Sequence, residues 1–395
     1  MKVMGFTPIS RRALILAACA ATQAPSANES KTLGPVTLRR VPEGGLQPQI
    51  AADRDGVIHL VYFLGEPLAG NLFHVKSSDG GRTFSPPLKV NTQPGAAVAT
   101  GSVRGCHLAI GKQGRLHVAW NGSIEANPKG PKDQAPLLYT RSNDAGTGFE
   151  PERNIISSAY GLDGGGTVAS GPDGLVYIFW HAPEPGQEGE EHRRIWVARS
   201  GDDGKTFAPE SLVKTKPTGA CGCCGMGAFA DEHGNVYALY RSAFKNVHRD
   251  MHLLASSDRG RTFHLQPVDT WEVGACVMST EAIAGTPQGV LAAWENKGQI
   301  YWGHVDPQSG AMTQIAAAPG EANGRKHPAL ASNSSGDVIL AWTEGTGWKR
   351  GGSLRWQVYD QHGRVKAERG QAPGVLAFSF VAAYARPDGG FNVVY

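Results

Sequence analysis

One unit recurs along this chain at intervals of roughly fifty to sixty residues, and a period of that length forces a repeat architecture. Each copy pairs a short apolar strand with a Gly-containing turn and a second strand that ends in an aromatic residue. Ile50-Ala51-Ala52-Asp53, Gly56 and Val57-Ile58-His59-Leu60-Val61-Tyr62 form one copy; Leu108-Ala109-Ile110 with Leu116-His117-Val118-Ala119-Trp120 forms the next. Further copies end at Trp180, Tyr240, Trp294, Trp342 and Tyr395. The period-two alternation and the Asp-x-x-Gly turns are what adjacent antiparallel strands require. Composition agrees: 52 glycines and only 18 % charged residues suit many short strands and tight turns, not long helices with charged faces.

A second hairpin follows most copies and carries a sharper signature. Ser77-Ser78-Asp79-Gly80-Gly81-Arg82-Thr83-Phe84 is matched by Ser200-Gly201-Asp202-Asp203-Gly204-Lys205-Thr206-Phe207 and by Ser256-Ser257-Asp258-Arg259-Gly260-Arg261-Thr262-Phe263. Ser142-Asn143-Asp144-Ala145-Gly146-Thr147-Gly148-Phe149 is a decayed fourth copy, aligned on Asp144 with Gly148 in the Thr position. The Asp accepts backbone N–H bonds across the turn, the Gly supplies a positive φ and the Phe tucks between sheets. These segments resemble the Asp box, or bacterial neuraminidase repeat, of the sialidase superfamily. The resemblance spans residues 31–395 and implies an all-β fold, a β-propeller of four-stranded antiparallel blades. Counting inner hairpins gives seven blades, with six, the number in sialidases proper, as the alternative. Segment 34–41 reads as an outer strand that completes the last blade, whose inner strands fall in 377–395.

Residues 1–30 read as an address. Arg11-Arg12 precedes the apolar run Ala13-Leu14-Ile15-Leu16-Ala17-Ala18, too short to span a bilayer and typical of a signal peptide. Leu16-Ala17-Ala18-Cys19 resembles a lipobox, which makes Cys19 the lipidated residue and 20–30 a tether. Ser10-Arg11-Arg12-Ala13-Leu14-Ile15 resembles a twin-arginine signal; simple cleavage near Ala24 is the alternative. The expectation is export to the periplasm or cell surface, with the membrane engaged through the anchor. A formal net charge of +3 with interspersed signs argues against a nucleic-acid partner.

In a propeller, the loops leading into the innermost strands share one face with the loops between second and third strands, so that face is the expected site. Those leading residues include Gln47-Pro48-Gln49, Gly105-Cys106-His107, Cys221-Gly222-Cys223-Cys224, Cys276-Val277-Met278 and Lys326-His327-Pro328. All cysteines but Cys19 occupy this one structural position, in three blades. Gathered thiols call for disulfides, or for a soft cation to neutralise thiolates. Both readings stand. Cys106 or Cys276 would bond to the 221–224 segment in the first. In the second, Cys106, Cys221, Cys223, Cys224 and Cys276, with His107 or His327, would hold copper or zinc.

The resemblance also invites a glycoside-hydrolase reading on sialic acid or a related acidic sugar. The family binds its substrate carboxylate with three arginines and uses a Tyr–Glu nucleophile pair with an Asp acid. Gln47-Pro48-Gln49 stands where the first arginine belongs, and Leu38-Arg39-Arg40-Val41-Pro42 precedes that strand. Arg241 and Arg325 are the candidate members of an anion clamp, and Glu281, early on an inner strand, is the candidate acidic partner. The loops 240–251 and Gly347-Trp348-Lys349-Arg350 add cations and an aromatic that would suit a carbohydrate or other small ligand. In the plain alternative Arg249 pairs with Asp250, and the acidic 184–191 stretch is a solvated charge run. Three functions therefore remain: ligand binding on the axial face through a cysteine-held metal, glycoside hydrolysis, and a structural propeller that presents its rim to a protein.

Overall fold

The computed structural model describes residues 35–322 and 324–395, which form seven sheets. The export signal, Cys19 and the tether lie outside the described residues. Six sheets are antiparallel meanders of four strands. The first runs through Leu46–Ala52, Ile58–Glu66, Ala69–Ser77 and Leu88–Lys89. The fourth runs through Met226–Ala230, Val236–Arg241, Met251–Ser256 and His264–Asp269. Innermost strands touch in sequence around a ring, and the strand at Ala382–Ala385 contacts both the sixth blade and the first. The molecule is a seven-bladed β-propeller.

The seventh blade departs from the expected four antiparallel strands. It has three among the described residues: Ala382–Ala385, Phe391–Val394 and Val36–Arg39. Val36–Arg39 does occupy the outer position expected of 34–41, but it pairs parallel to Phe391–Val394, with Val36 opposite Phe391. Topology explains the direction. A second strand ends on the face where the next inner strand begins, and a single strand leading into Leu46–Ala52 must end there too. The two therefore run the same way, secured by Tyr395 N to Arg39 O at 3.0 Å and Val41 N to Tyr395 O at 3.0 Å.

Aromatic residues that end the second strands weld neighbouring blades. Trp120 is fully buried and donates its indole N–H to Ala96 O at 3.2 Å; Trp180 donates to Ala159 O at 3.0 Å. The Asp boxes behave as their sequence requires. Asp79, Asp202 and Asp258 accept from the backbone N–H four residues on at 2.8–2.9 Å and from its Thr hydroxyl at 2.6 Å. Phe207 and Phe263 then set their edges on Tyr139 and Phe179 of the preceding blade. In the decayed copy the register slips by one. Asn143, not Asp144, caps Thr147 N at 3.0 Å, while Asp144 turns outward to Arg115 at 2.6 Å. The extra Gly148 restores Phe149 to its place against His74.

A carboxylate latch accompanies two of these boxes, three residues past the Phe. Glu152 accepts from Thr92 N at 2.7 Å, Thr92 Oγ1 at 2.6 Å and Gln93 N at 2.7 Å in the first blade. Glu210 accepts from Ser157 and Ser158, backbone and hydroxyl alike, and from Ala159 N at 2.7 Å in the second. Partial burial alone would raise the Glu210 carboxyl, but these donors outweigh it and bring the group down to about 2. Glu210→Gln is expected to lose about 1 kcal/mol of stability near neutral pH, the scale of a half-exposed, charge-assisted contact. Since the folded carboxyl titrates below its ordinary 4.5, the wild-type advantage is present above that pH and lost as pH falls toward 2. Urea melts of both proteins at about pH 7 and about pH 2.5 check this; an equal gap at both contradicts it.

Candidate functional site

The segment Cys221-Gly222-Cys223-Cys224 leads into the fourth inner strand and is fixed by backbone bonds from four directions. Cys221 N donates to Arg241 O at 2.9 Å in the adjacent second strand, and Gly225 N donates to Ser279 O at 2.9 Å in the loop of the fifth blade. Gly164 N, leading into the third blade, donates to Gly222 O at 2.8 Å. Gly222 N donates to Glu190 Oε1 at 2.6 Å. A Cβ at 222 would lie 2.8 Å from Asp163 Oδ2 and 3.1 Å from Glu190 Oε1, so a larger residue there would push these carboxylates aside. Cys224 N bonds back to Cys221 O at 3.3 Å, which folds the segment into a tight turn and sends its three side chains to one spot.

The thiols gather there. Cys221 Sγ lies 3.4 Å from Cys223 Sγ and 3.1 Å from Cys224 Sγ, and all three sulfurs fall within 4.8 Å of one another. All five described cysteines are free, so the expected disulfides are not formed. Cys276, on the exposed loop of the fifth blade, stays outside the close trio. Cys106 does not join. It packs with Val61, Trp120 and Leu138 between the first and second blades, and burial pushes its thiol up to about 12. Burial would raise the Cys224 thiol as well, but hydrogen bonds from Cys221 and Cys223 and the Arg241 cation hold it well below the usual thiol range. Cys221 is raised because its hydrogen bonds to Cys223 and Cys224 hold its proton; at Cys223 the bond with Cys221 lowers the thiol, but the bond with Cys224 and burial outweigh it.

Three guanidinium groups surround this sulfur cluster. Arg193 interacts electrostatically with Cys221, Arg241 with Cys224 and Cys221, and Arg249 with Cys221 and Cys223. Each retains a buried N–H without a hydrogen-bond partner: Nε of Arg193, Nε of Arg241, and Nε and Nη1 of Arg249. An unsatisfied buried donor costs about 1–3 kcal/mol, and beside Arg241 both carboxylate oxygens of Glu281 and Oε2 of Glu295 are buried without a partner as well. Glu190, in the loop read as a solvated charge run, supplies a counter-charge. Its Oε2 accepts from Arg249 at 2.7 Å, so Arg249 pairs with Glu190, while Asp250 accepts from Trp271 N at 2.9 Å. The sequence signal for Glu190 was topological, since a loop between second and third strands opens on the cysteine face.

The hydrolase candidates separate. Arg241 is 1 % exposed, donating to Arg249 O at 2.8 Å and Glu295 O at 2.5 Å. Arg325 pairs with Glu344 at 3.0 Å and Gln299 at 2.7 Å between the fifth and sixth blades. The two share no partner among these contacts, so the structure does not assemble them into a clamp. Glu281 does come near Arg241 and Cys224, with both carboxylate oxygens buried and unpartnered; burial, reinforced by Cys224, raises its carboxyl well above the usual range.

On the axis lies a cavity of about 180 Å³, lined by Gln49, Cys106, His107, Thr167, Thr280 and Glu281 among others. His107 Nδ1 meets Thr167 Oγ1 at 3.1 Å, and His327 Nδ1 meets Thr280 Oγ1 at 3.1 Å. Burial lowers these imidazoles to about 4 and about 3, and neither belongs to the sulfur group. Neither Arg241 nor Arg325 lines the cavity. Trp348 stands half-exposed on the same face, with Arg104 at 5.9 Å from its ring.

No family model matches this chain, and no curated protein is similar to it. Solved structures are. An α-L-arabinanase from Penicillium chrysogenum, complexed with arabinobiose, aligns over 82 % of this chain and 95 % of its own at 15 % identity, TM-score 0.52. An α-L-arabinofuranosidase from Fusarium graminearum, bound to an iminosugar inhibitor, aligns over 78 % of this chain and 92 % of its own at 13 % identity, TM-score 0.50. A leech intramolecular trans-sialidase aligns over 88 % of this chain and 64 % of its own at 10 % identity, TM-score 0.43. Identities this low speak for fold alone. In fold, this chain is a seven-bladed β-propeller, similar in architecture to the arabinanase and the arabinofuranosidase.

Proposed function

We propose that this chain is an exported, lipid-anchored propeller whose axial face binds a thiophilic metal ion, copper or zinc, through Cys221, Cys223 and Cys224. The observation that carries the reading is the meeting of three sulfurs within 4.8 Å on a turn pinned by backbone bonds. A tetrahedral ion with metal–sulfur bonds of about 2.3 Å sets its sulfurs roughly 3.8 Å apart, so the trio need spread only by tenths of an ångström. Bound thiolates would answer the orphan N–H groups of Arg193, Arg241 and Arg249, and the three cations would offset a negative metal–thiolate centre. Soft sulfur disfavours magnesium and calcium. A small-molecule or carbohydrate ligand would approach over the neighbouring axial cavity, past Trp348.

The glycosidase reading draws on two arabinan-type neighbours and on Glu281, a carboxyl that burial raises above its ordinary range. Glycoside hydrolysis ordinarily needs a second carboxylate about 5–10 Å away across the sugar. Among the residues lining the axial cavity Glu281 is the one carboxylate, and none is an arginine.

Protein purified without chelator is expected to carry one copper or zinc per chain by elemental analysis. Cys223→Ser combined with Cys224→Ser should weaken retention by about a hundredfold or more. Metal-free protein with fully oxidised cysteines on thiol titration of the denatured chain overturns the reading. Fluorogenic arabinosides and sialosides should release nothing above buffer; release abolished by Glu281→Gln would put the hydrolase in its place. For the anchor, Cys19→Ser is expected to move the protein from the membrane fraction to the soluble one, and an unchanged distribution removes the lipid from the account.

A further inference from the structure

The cysteines on this face form a graded path. Cys276 is exposed, Cys223 is half-buried, and Cys221 and Cys224 are each 1 % exposed. Within the trio Cys223 lies 3.4 Å from Cys221 and Cys221 lies 3.1 Å from Cys224, while Cys276 stands beside it, next to Val277, which packs with Cys221 and Cys224. The loop that carries Cys276 is tied on both sides. Trp271 N donates to Asp250 Oδ1 at 2.9 Å and Val273 N to Val247 O at 2.7 Å before it. After it, Val277 packs on Cys221 and Cys224, and Ser279 O accepts from Gly225 N. Between these ties only Gly274, Ala275 and Cys276 stand exposed in a row, so the thiol sits at the apex of a short, small-residue span.

We propose that Cys276 is the receiving ligand that takes Cu(I) from a thiol-bearing donor and passes it down through Cys223 to the buried pair; this rests on the metal-binding reading above. A sulfur trio without a nitrogen ligand suits a monovalent soft ion better than zinc, which requires four ligands. Cu(I) arrives as a thiolate complex. A Cys276 Sγ–Cu bond forms as the donor S–Cu bond breaks, and the Cys276 proton leaves on the departing donor sulfur. Cys223 then takes the place of Cys276 and hands it its proton, Cys221 displaces the remaining donor thiolate, which leaves with the Cys221 proton, and Cys224 adds as the third sulfur, its proton passing to water. Copper remains monovalent throughout, so no electron acceptor or donor is needed. Cys276, regenerated as a thiol, is free to receive again.

The test is anaerobic stopped-flow mixing of the full chain with Cu(I) held by excess reduced glutathione, following the Cu(I)–thiolate absorbance, beside an equilibrium competition titration. Cys276→Ser is expected to slow uptake about tenfold or more while leaving equilibrium affinity within about threefold. Cys276→Met, which keeps a soft sulfur at the apex, should recover much of the rate. Cys224→Ser should instead abolish stoichiometric binding. Unchanged uptake in Cys276→Ser overturns the relay and leaves the metal site standing. Loss of affinity in that variant as large as in Cys224→Ser makes Cys276 a permanent ligand and also overturns it. Wild-type protein that binds no Cu(I) at all removes the underlying site itself.

Discussion

Ring closure is the constraint on which everything else rests. Seven twisted sheets bury both faces only when each has a neighbour on either side, and the last neighbour is made by pairing Val36–Arg39 with Phe391–Val394. That junction joins the two ends of the described chain and makes the ring one cooperative body. It also sets the direction of Val36–Arg39, which must end on the face where the first inner strand begins. Latches such as Glu210 on Ser157–Ala159 repeat the same task locally, blade against blade.

Closure has a chemical consequence. Because inner strands all begin on one face, short segments far apart in sequence are delivered to a common zone, and backbone bonds decide which side chains meet there. The turn at 221–224 is held from the third, fourth and fifth blades at once, through Gly164, Arg241 and Ser279. Its thiols are therefore set by the ring and not by the loop alone. The same neighbours bring Arg193, Arg241, Arg249 and Glu190 around the sulfurs, so charge compensation and position arise from one set of contacts.

The repeat period, the Asp boxes and the cysteine placement made the seven-bladed ring and the cysteine face readable from sequence. What escaped depended on distances that no spacing encodes. Cys106 occupies the same position in its blade as the other cysteines do in theirs, but its side chain turns into the packing around Trp120, while Cys276 stays exposed on its loop. Arg325 looked like a clamp member, but its Nε and Nη1 are turned to Glu344 and Gln299 between two blades, away from the axial cavity. Asn143 replaced Asp144 as the cap because the Thr that the cap holds stands one position earlier, at Thr147, with Gly148 in its usual place. Glu190 was hidden by its acidic neighbours, although only it reaches Gly222 N and Arg249. Glu281 was picked out for its place early on an inner strand, and the structure adds that its carboxylate is buried without a partner.

The central claim is that three sulfurs on one turn make a metal centre. X-ray absorption at the metal edge of the loaded protein tests it most directly. The account predicts a first shell of sulfur alone, about 2.3 Å from the ion, with no imidazole scattering, since neither His107 nor His327 belongs to the group. A shell dominated by nitrogen or oxygen, or by histidine, would contradict it.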